Sequence, residues 1–512
     1  MILRESQQDD FEFARLSNNR GFIFFASLIL GVSTYLYIDH LAFTSAGLVI
    51  SYLIFFTNLC VSLYRLSWGI VLTLFLGFFI VDYPRDILNL YTELQVEKST
   101  NFYVLGSVTI SKLTLLNILF IVNTLLAGYR LIIVRVKGRF GFLGFALLLF
   151  AIGCTSLLYS IVSQEVHSMK AIATDLKFPA FLVFGFIQGL YLVRVNAFGL
   201  LLEMLILLPF FIGIRAIIFM VSDIYFLTPS FYFATNTTIS VSVLAYLIAS
   251  KSYSIYSSWV FRLGLYVSLL EPSRSFLLIL SLILGISLFM SVFLLREKGM
   301  TKSAKTHYVS ELLFIGFMLL FIVGLYNPVV YDFIAWKLNV FNEILSSDQQ
   351  LSESGGLRLY ELMNVSAELS DSIYQMLFGK GFGGAYTFNT FPFNSADPLD
   401  LKSYSEDQLQ SGIYYATHSF SAYMLLKYGL IGLGIYLLIP LLIVFKAFKS
   451  LKYHKVHFLL LFLSAISLYY YYWRLDLAFL MSALWAYFYS SKFRAYPVAA
   501  PQALYVVVEN VA

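Results

Sequence analysis

Leu143-Gly-Phe-Ala-Leu-Leu-Leu-Phe-Ala-Ile152 carries no polar side chain from end to end. A helix that crosses a bilayer needs about 20 mostly apolar residues in succession, whereas a barrel strand alternates apolar and polar positions. Solidly apolar runs therefore point to an all-α polytopic membrane protein rather than a β-barrel. Composition agrees: 59% of the 512 residues are hydrophobic, 18% are aromatic and only 12% are charged, with mean hydropathy +0.79. A soluble chain carries about 25% charged residues.

Working outward, comparable runs occupy roughly residues 21–38, 41–64, 66–81, 113–134, 140–163, 178–194, 198–222, 231–250, 258–271, 276–295, 308–330, 420–445, 457–473 and 477–490. That predicts about 14 transmembrane helices. The charged segment 1–20, with Arg4, Arg15 and Arg20, is read as a cytoplasmic N-terminus before an uncleaved anchor. Cys60 and Cys154 both fall in apolar runs, so no disulfide framework is implied.

Three connections are strongly basic: Arg130 to Arg139, Arg296 to Lys305 and Lys446 to Lys455. The positive-inside rule places them in the cytoplasm, and threading the spans from an inside N-terminus does so without adjustment. Both termini are then cytoplasmic. The net charge of +5 records these basic loops and gives no indication of a nucleic-acid partner. The expected organisation is a cytoplasmic segment 1–20, transmembrane helices over 21–330, one large outer loop over 331–418, further transmembrane helices over 419–490 and a cytoplasmic tail over 491–512.

A connection as long as 331–418 is far outside the usual range, and such loops are commonly functional. Leu359, Leu362, Met363, Leu369, Ile373, Met376 and Leu377 recur in it at helical spacing. They predict an amphipathic helix on the surface of the membrane domain, with Arg358 in its first turn and Gly379 at its C-cap.

Several residues are suited to a phosphorylated substrate. Arg274 follows a proline at the outer end of a span, and a guanidinium offers a permanently charged fork of donors for phosphate oxygens. Snorkelling to lipid headgroups is the plainer reading. Arg215 lies within a span and is a candidate on that ground, with pairing to other helices as the alternative. Glu203 is twelve residues away, about 18 Å along a helix, too far to be its direct partner. His418 stands where the outer loop re-enters the membrane; an imidazole there can take a proton from a hydroxyl or donate to a phosphate oxygen. Arg474 and Asp476 suggest a local ion pair first and a glycan contact second. Gly379, Gly381 and Gly384 match G-x-G-x-x-G, but without a preceding strand this is no dinucleotide site. Gly379, Gly381 and Gly383 instead suggest a turn that lets backbone approach a glycan or phosphate closely. No spacing suggests a metal site.

Taken together, Gly379-x-Gly-x-Gly383, His418-Ser419 and Leu425 to Gly429-Leu-Ile-Gly432 resemble the O-antigen polymerase/ligase superfamily. Leu270-Glu-Pro-Ser-Arg-Ser-Phe-Leu-Leu278 is similar to its Gly-Ser-Arg-Ser segment, with Glu271-Pro272 replacing Thr-Gly. Gly355-Gly-Leu-Arg-Leu-Tyr360 resembles its loop-arginine segment. The likeness covers roughly residues 255–490. It implies a glycosyltransferase-C-like membrane enzyme in the bacterial inner membrane with a periplasmic active face. The donor would be a glycan on undecaprenyl pyrophosphate, transferred with inversion and without metal or other cofactor. A chain-length regulator would be a partner. Arg274 and Arg358 would hold the pyrophosphate and His418 would serve the acceptor. The acceptor would be a lipid-linked repeat unit for a polymerase, or lipid A–core or a protein for a ligase. A lipid-linked oligosaccharide flippase is a different class, in which internal repeats and midplane sites are expected; no repeat is visible here.

Overall fold

The computed structural model describes residues 20–36, 45–80, 109–110, 113–133, 141–163, 168–201, 204, 353–392, 404, 406–417, 419–451 and 475–489. These residues are almost entirely helical. The N-terminal elements are α1 (Arg20–Leu36), α2 (Ser45–Tyr64), α3 (Leu66–Ile80), α4 (Leu115–Ile133), α5 (Gly141–Val162) and α6 (Met169–Arg194). The C-terminal elements are α7 (Glu353–Ser370), α8 (Ile373–Phe378) and α9 (Glu406–Ser411), followed by α10 (Phe420–Leu451) and α11 (Leu475–Tyr489). The strands β1 (Thr109–Ile110) and β2 (Leu113–Thr114) form a minimal antiparallel pair.

Among the described residues, four helices are long and apolar enough to cross a membrane: Ser45–Tyr64, Leu115–Ile133, Ala171–Arg194 and Phe420–Leu438. Their packing has the polarity of a membrane protein. Helix α2 buries Gly47, Ser51, Phe55, Asn58 and Ser62, and exposes Leu48, Val49, Leu53 and Phe56. A water-soluble helix does the reverse, because only lipid makes apolar exposure cheap. The inward polar groups are used: Asn123 Nδ2 donates to Thr73 Oγ1 at 2.9 Å, and Gln188 Nε2 donates to Phe120 O at 2.9 Å and Thr124 Oγ1 at 2.8 Å.

Helix α6 is central. Gly185 and Gly189 lie on the stripe facing α11, and a Cβ on either would strike the backbone of Phe479 or Ala483. This small-residue spacing lets the two backbones approach closely, in parallel, with the Ser482 hydroxyl donating to Leu182 O. Helix α4 runs parallel to α6 on another side: Phe120 meets Phe181 with ring centroids 5.1 Å apart, and Arg130 Nη1 donates to Tyr191 OH at 3.0 Å.

The largest boundary difference from the sequence expectation is at the start of α6. Helix α6 begins at Met169, not at 178, so residues expected in an outer loop form its first turns despite Pro179 inside the helix. Ser168 caps it, its Oγ accepting from Ala171 N at 3.4 Å. The expected spans between 231 and 330, and the one at 457–473, lie outside the described residues.

Candidate functional site

Helix α7 and the irregular segments around Tyr386, Tyr404 and Tyr414 form their own small core on α10. Leu357, Glu361, Asn364, Val365 and Leu369 make the buried face of α7, and Leu357, Val365 and Leu369 pack with Tyr386, Tyr404, Tyr414, Leu425 and Leu426. The expected apolar stripe matches this face only in part: Leu369 is buried in it and Leu362 packs against it, whereas Leu359, Ile373 and Met376 are exposed. Two polar side chains complete the buried face, and each fastens the loop. Asn364 Nδ2 donates to Phe391 O at 2.8 Å while its Oδ1 accepts from Phe391 N at 2.9 Å. Glu361 Oε1 accepts from Tyr404 OH at 2.6 Å and Tyr386 OH at 3.0 Å. Burial, and then the neighbouring Glu361 carboxylate, pushes both phenols far above their ordinary pKa, so they remain donors.

The predicted single helix is two. The chain breaks at Asp371, and Ser372 caps α8. Helix α7 starts earlier than expected, at Glu353, which places Arg358 in its second turn rather than its first; the side chain is exposed.

Gly379 caps α8 at φ 76°, and Gly381 and Gly383 follow at φ 79° and 76°. These left-handed conformations are cheap only for glycine. They drive the chain between α5, α6 and α10. Every N–H of the turn is used internally. Gly379 N donates to Gln375 O at 2.6 Å, Lys380 N to Leu426 O at 2.7 Å and Gly381 N to Lys427 O at 3.1 Å. Phe382 N donates to Gly153 O at 3.4 Å, Gly383 N to Asp175 Oδ2 at 2.7 Å and Gly384 N to Gly381 O at 3.2 Å.

The acceptors on α10 are available for a reason. That helix is interrupted at Gly429 (φ 63°, ψ −166°), which denies Leu426 and Lys427 their usual partners one turn on. The two breaks interlock: a Cβ on Gly379 would meet the backbone at Tyr428 and Gly429, and one on Gly429 would meet Leu377 and Gly379. From α5, Ser156 Oγ donates to Phe378 O at 2.8 Å and Ser160 Oγ to Lys380 O at 2.9 Å. The sequence expectation has Gly379, Gly381 and Gly383 bring backbone up to a glycan or phosphate. The close approach is real, but its partners are helix backbones, and no N–H from Gly379 to Gly384 is left for a ligand.

Beneath the turn lies an ion pair that sequence reasoning missed. Lys427 Nζ is 2.7 Å from Asp175 Oδ2, and both residues are buried. Asp175 Oδ1 also accepts from Tyr423 OH at 2.8 Å, and Lys427 Nζ donates to Gly384 O at 2.7 Å. A lysine within the apolar run after Phe420 was a visible signal, since an intramembrane charge requires a partner. Asp175 was less visible, because the start of its helix looked like a loop. A second pair, Lys380 Nζ to Glu368 Oε2 at 2.6 Å, ties the turn to α7.

Of the other predicted site residues, Arg274, Arg215, Arg474 and His418 lie outside the described residues. The neighbours of His418 are placed. Thr417 is buried, with Oγ1 donating to Ser419 O at 2.7 Å, and Ser419 Oγ accepts from Ala422 N at 3.3 Å at the start of α10. The structure thus joins the Arg358 helix to the helix that His418 leads into, through the shared core of α7 and α10. Among the described residues, no group of three or more His, Cys, Asp or Glu could hold a metal ion. Comparison with protein-family models, with curated proteins and with solved structures returns no match.

Proposed function

We propose that this chain is an inner-membrane glycosyltransferase of about 14 spans that polymerises lipid-linked glycan repeat units at the periplasmic face. The donor is a glycan on undecaprenyl pyrophosphate and the acceptor is a second lipid-linked unit. The observation that carries the reading is the docking of the Arg358 helix α7 on α10, the helix entered directly after His418. A cation for the leaving group then lies on a helix packed against the one that follows the proposed base in the chain.

In this mechanism Arg274 and Arg358 face the pyrophosphate, whose negative charge grows as the anomeric carbon–oxygen bond breaks. Guanidiniums beside the leaving group stabilise that charge more in the transition state than in the ground state, without a metal. His418 removes the acceptor hydroxyl proton, and attack from the opposite face inverts the anomeric centre. Arg215 and Arg474 are secondary contacts for the carrier or glycan. The glycine turn takes no part in binding; it holds α7, α8 and α10 together.

Chain length on the carrier is the test. In a strain lacking the native gene, Arg274→Ala, Arg358→Ala and His418→Ala are each expected to leave single repeat units at normal protein level. Wild-type chain lengths in all three overturn the proposal. Finished polymer accumulating on the carrier identifies a ligase acting on lipid A–core or a protein instead. Reconstituted transport without glycosyl transfer identifies a flippase.

A further inference from the structure

Helix α8, Ile373-Tyr-Gln-Met-Leu-Phe378, contains no charged residue. Its amide side chain, Gln375, is buried, whereas Ile373 is 77% and Met376 38% exposed. On a loop bathed in water this arrangement is upside down. It matches the inversion of α2, whose polar residues face inward and whose apolar residues face out.

The depth of α8 agrees. Ser156 of α5 donates to Phe378 O, and the rings of Tyr159 and Tyr374 lie 4.1 Å apart. Those α5 residues come before its end at Val162, by about 9 Å and 5 Å along the axis. On the other side, the backbone at Leu377 and Gly379 abuts Gly429, about 13 Å into α10 from Phe420. Beside the Tyr159 contact, α5 exposes Leu158, Ile161 and Val162, so its apolar surface continues onto α8. Irregular backbone at such depth is tolerated only when its polar groups are satisfied within the protein, and every N–H from Gly379 to Gly384 is.

We infer that α8 and the turn after it form a re-entrant element, inserted in the leaflet on the loop side, with Ile373 and Met376 packed against lipid acyl chains. Phe382 marks its inner limit, its ring 6.1 Å from Phe150 near the middle of α5. The charged pair Lys380–Glu368 accompanies the element and keeps its lysine neutralised. Lipid contact here does not depend on the transfer chemistry proposed above.

Nitroxide labelling tests this in full-length protein in which Cys60→Ser and Cys154→Ser remove the native thiols. Ile373→Cys, Met376→Cys, Val162→Cys and Thr390→Cys are labelled singly and reconstituted in phosphatidylethanolamine–phosphatidylglycerol vesicles. Collision with oxygen reports lipid, and collision with a water-soluble nickel chelate reports solvent. The oxygen-to-nickel ratio is expected to exceed unity at 373 and 376, as at 162, and to fall below unity at 390. A ratio below unity at 373 or at 376 in a folded variant overturns the inference. The second α8 position keeps the test decisive should one labelled variant fail to fold.

Discussion

Replacing Lys427 by methionine removes the cation from the joint between the glycine turn and the bundle while keeping most of the side-chain volume. Lys427 Nζ is 2.7 Å from Asp175 Oδ2 and 2.7 Å from Gly384 O. Without it Asp175 keeps the Gly383 N–H and the Tyr423 hydroxyl as donors but loses its counter-charge in a buried site. Removing one partner of a buried pair costs about 3–5 kcal/mol. The carbonyl of Gly384 loses its donor as well, and an unsatisfied buried acceptor falls at about 1–3 kcal/mol. Asp175→Asn should be damaging for the mirror-image reason, leaving the ammonium unneutralised. The double variant Asp175→Asn/Lys427→Met carries no charge at all, so it should be more stable than either single variant. Its residual defect should be close to the cost of the unpaired Gly384 carbonyl. The assay is an unfolding titration of purified protein in mixed micelles, analysed as a double-mutant cycle. Two results refute the reasoning: single variants as stable as wild type, or a double variant whose loss equals the sum of the singles.

Other expectations follow from individual contacts. Gly381→Ala and Gly412→Ala place the same methyl at φ 79° and 65°, but only the first strikes neighbouring backbone, since nothing lies within 4 Å of a Cβ at Gly412. Gly412→Ala should cost about 1–2 kcal/mol, the left-handed penalty alone, whereas Gly381→Ala should abolish the monodisperse peak on gel filtration. Gly189→Leu pushes α6 off the Ala483 backbone and should cost more than the about 1–3 kcal/mol of ordinary overpacking, read in the same titration. Arg358→Ala, by contrast, removes an exposed side chain; its stability should stay within about 0.5 kcal/mol of wild type even as chain extension is lost.

Hydropathy alone was enough to find the helices of the described membrane region, because a bilayer selects on the mean polarity of about 20 consecutive residues and that mean is local. It also placed the helix ending at Gly379, where a left-handed cap is a one-residue property. Its failures share one physical cause. The start of α6 carries Asp175, which lowers local hydropathy, yet the residue is buried because a lysine from a remote helix neutralises it. The buried face of α7 contains Glu361 and Asn364 in place of the more apolar Leu359, because tyrosine hydroxyls and a distant backbone supply hydrogen bonds that only folding brings there. The glycine turn was legible as a place of close approach, but what approaches it was not. The carbonyls of Leu426 and Lys427 become acceptors only because α10 breaks at Gly429. Sequence determines which residues prefer lipid and where the backbone can bend. Tertiary structure decides which buried polar groups find partners, since each partner lies far away in the chain and no local average contains it.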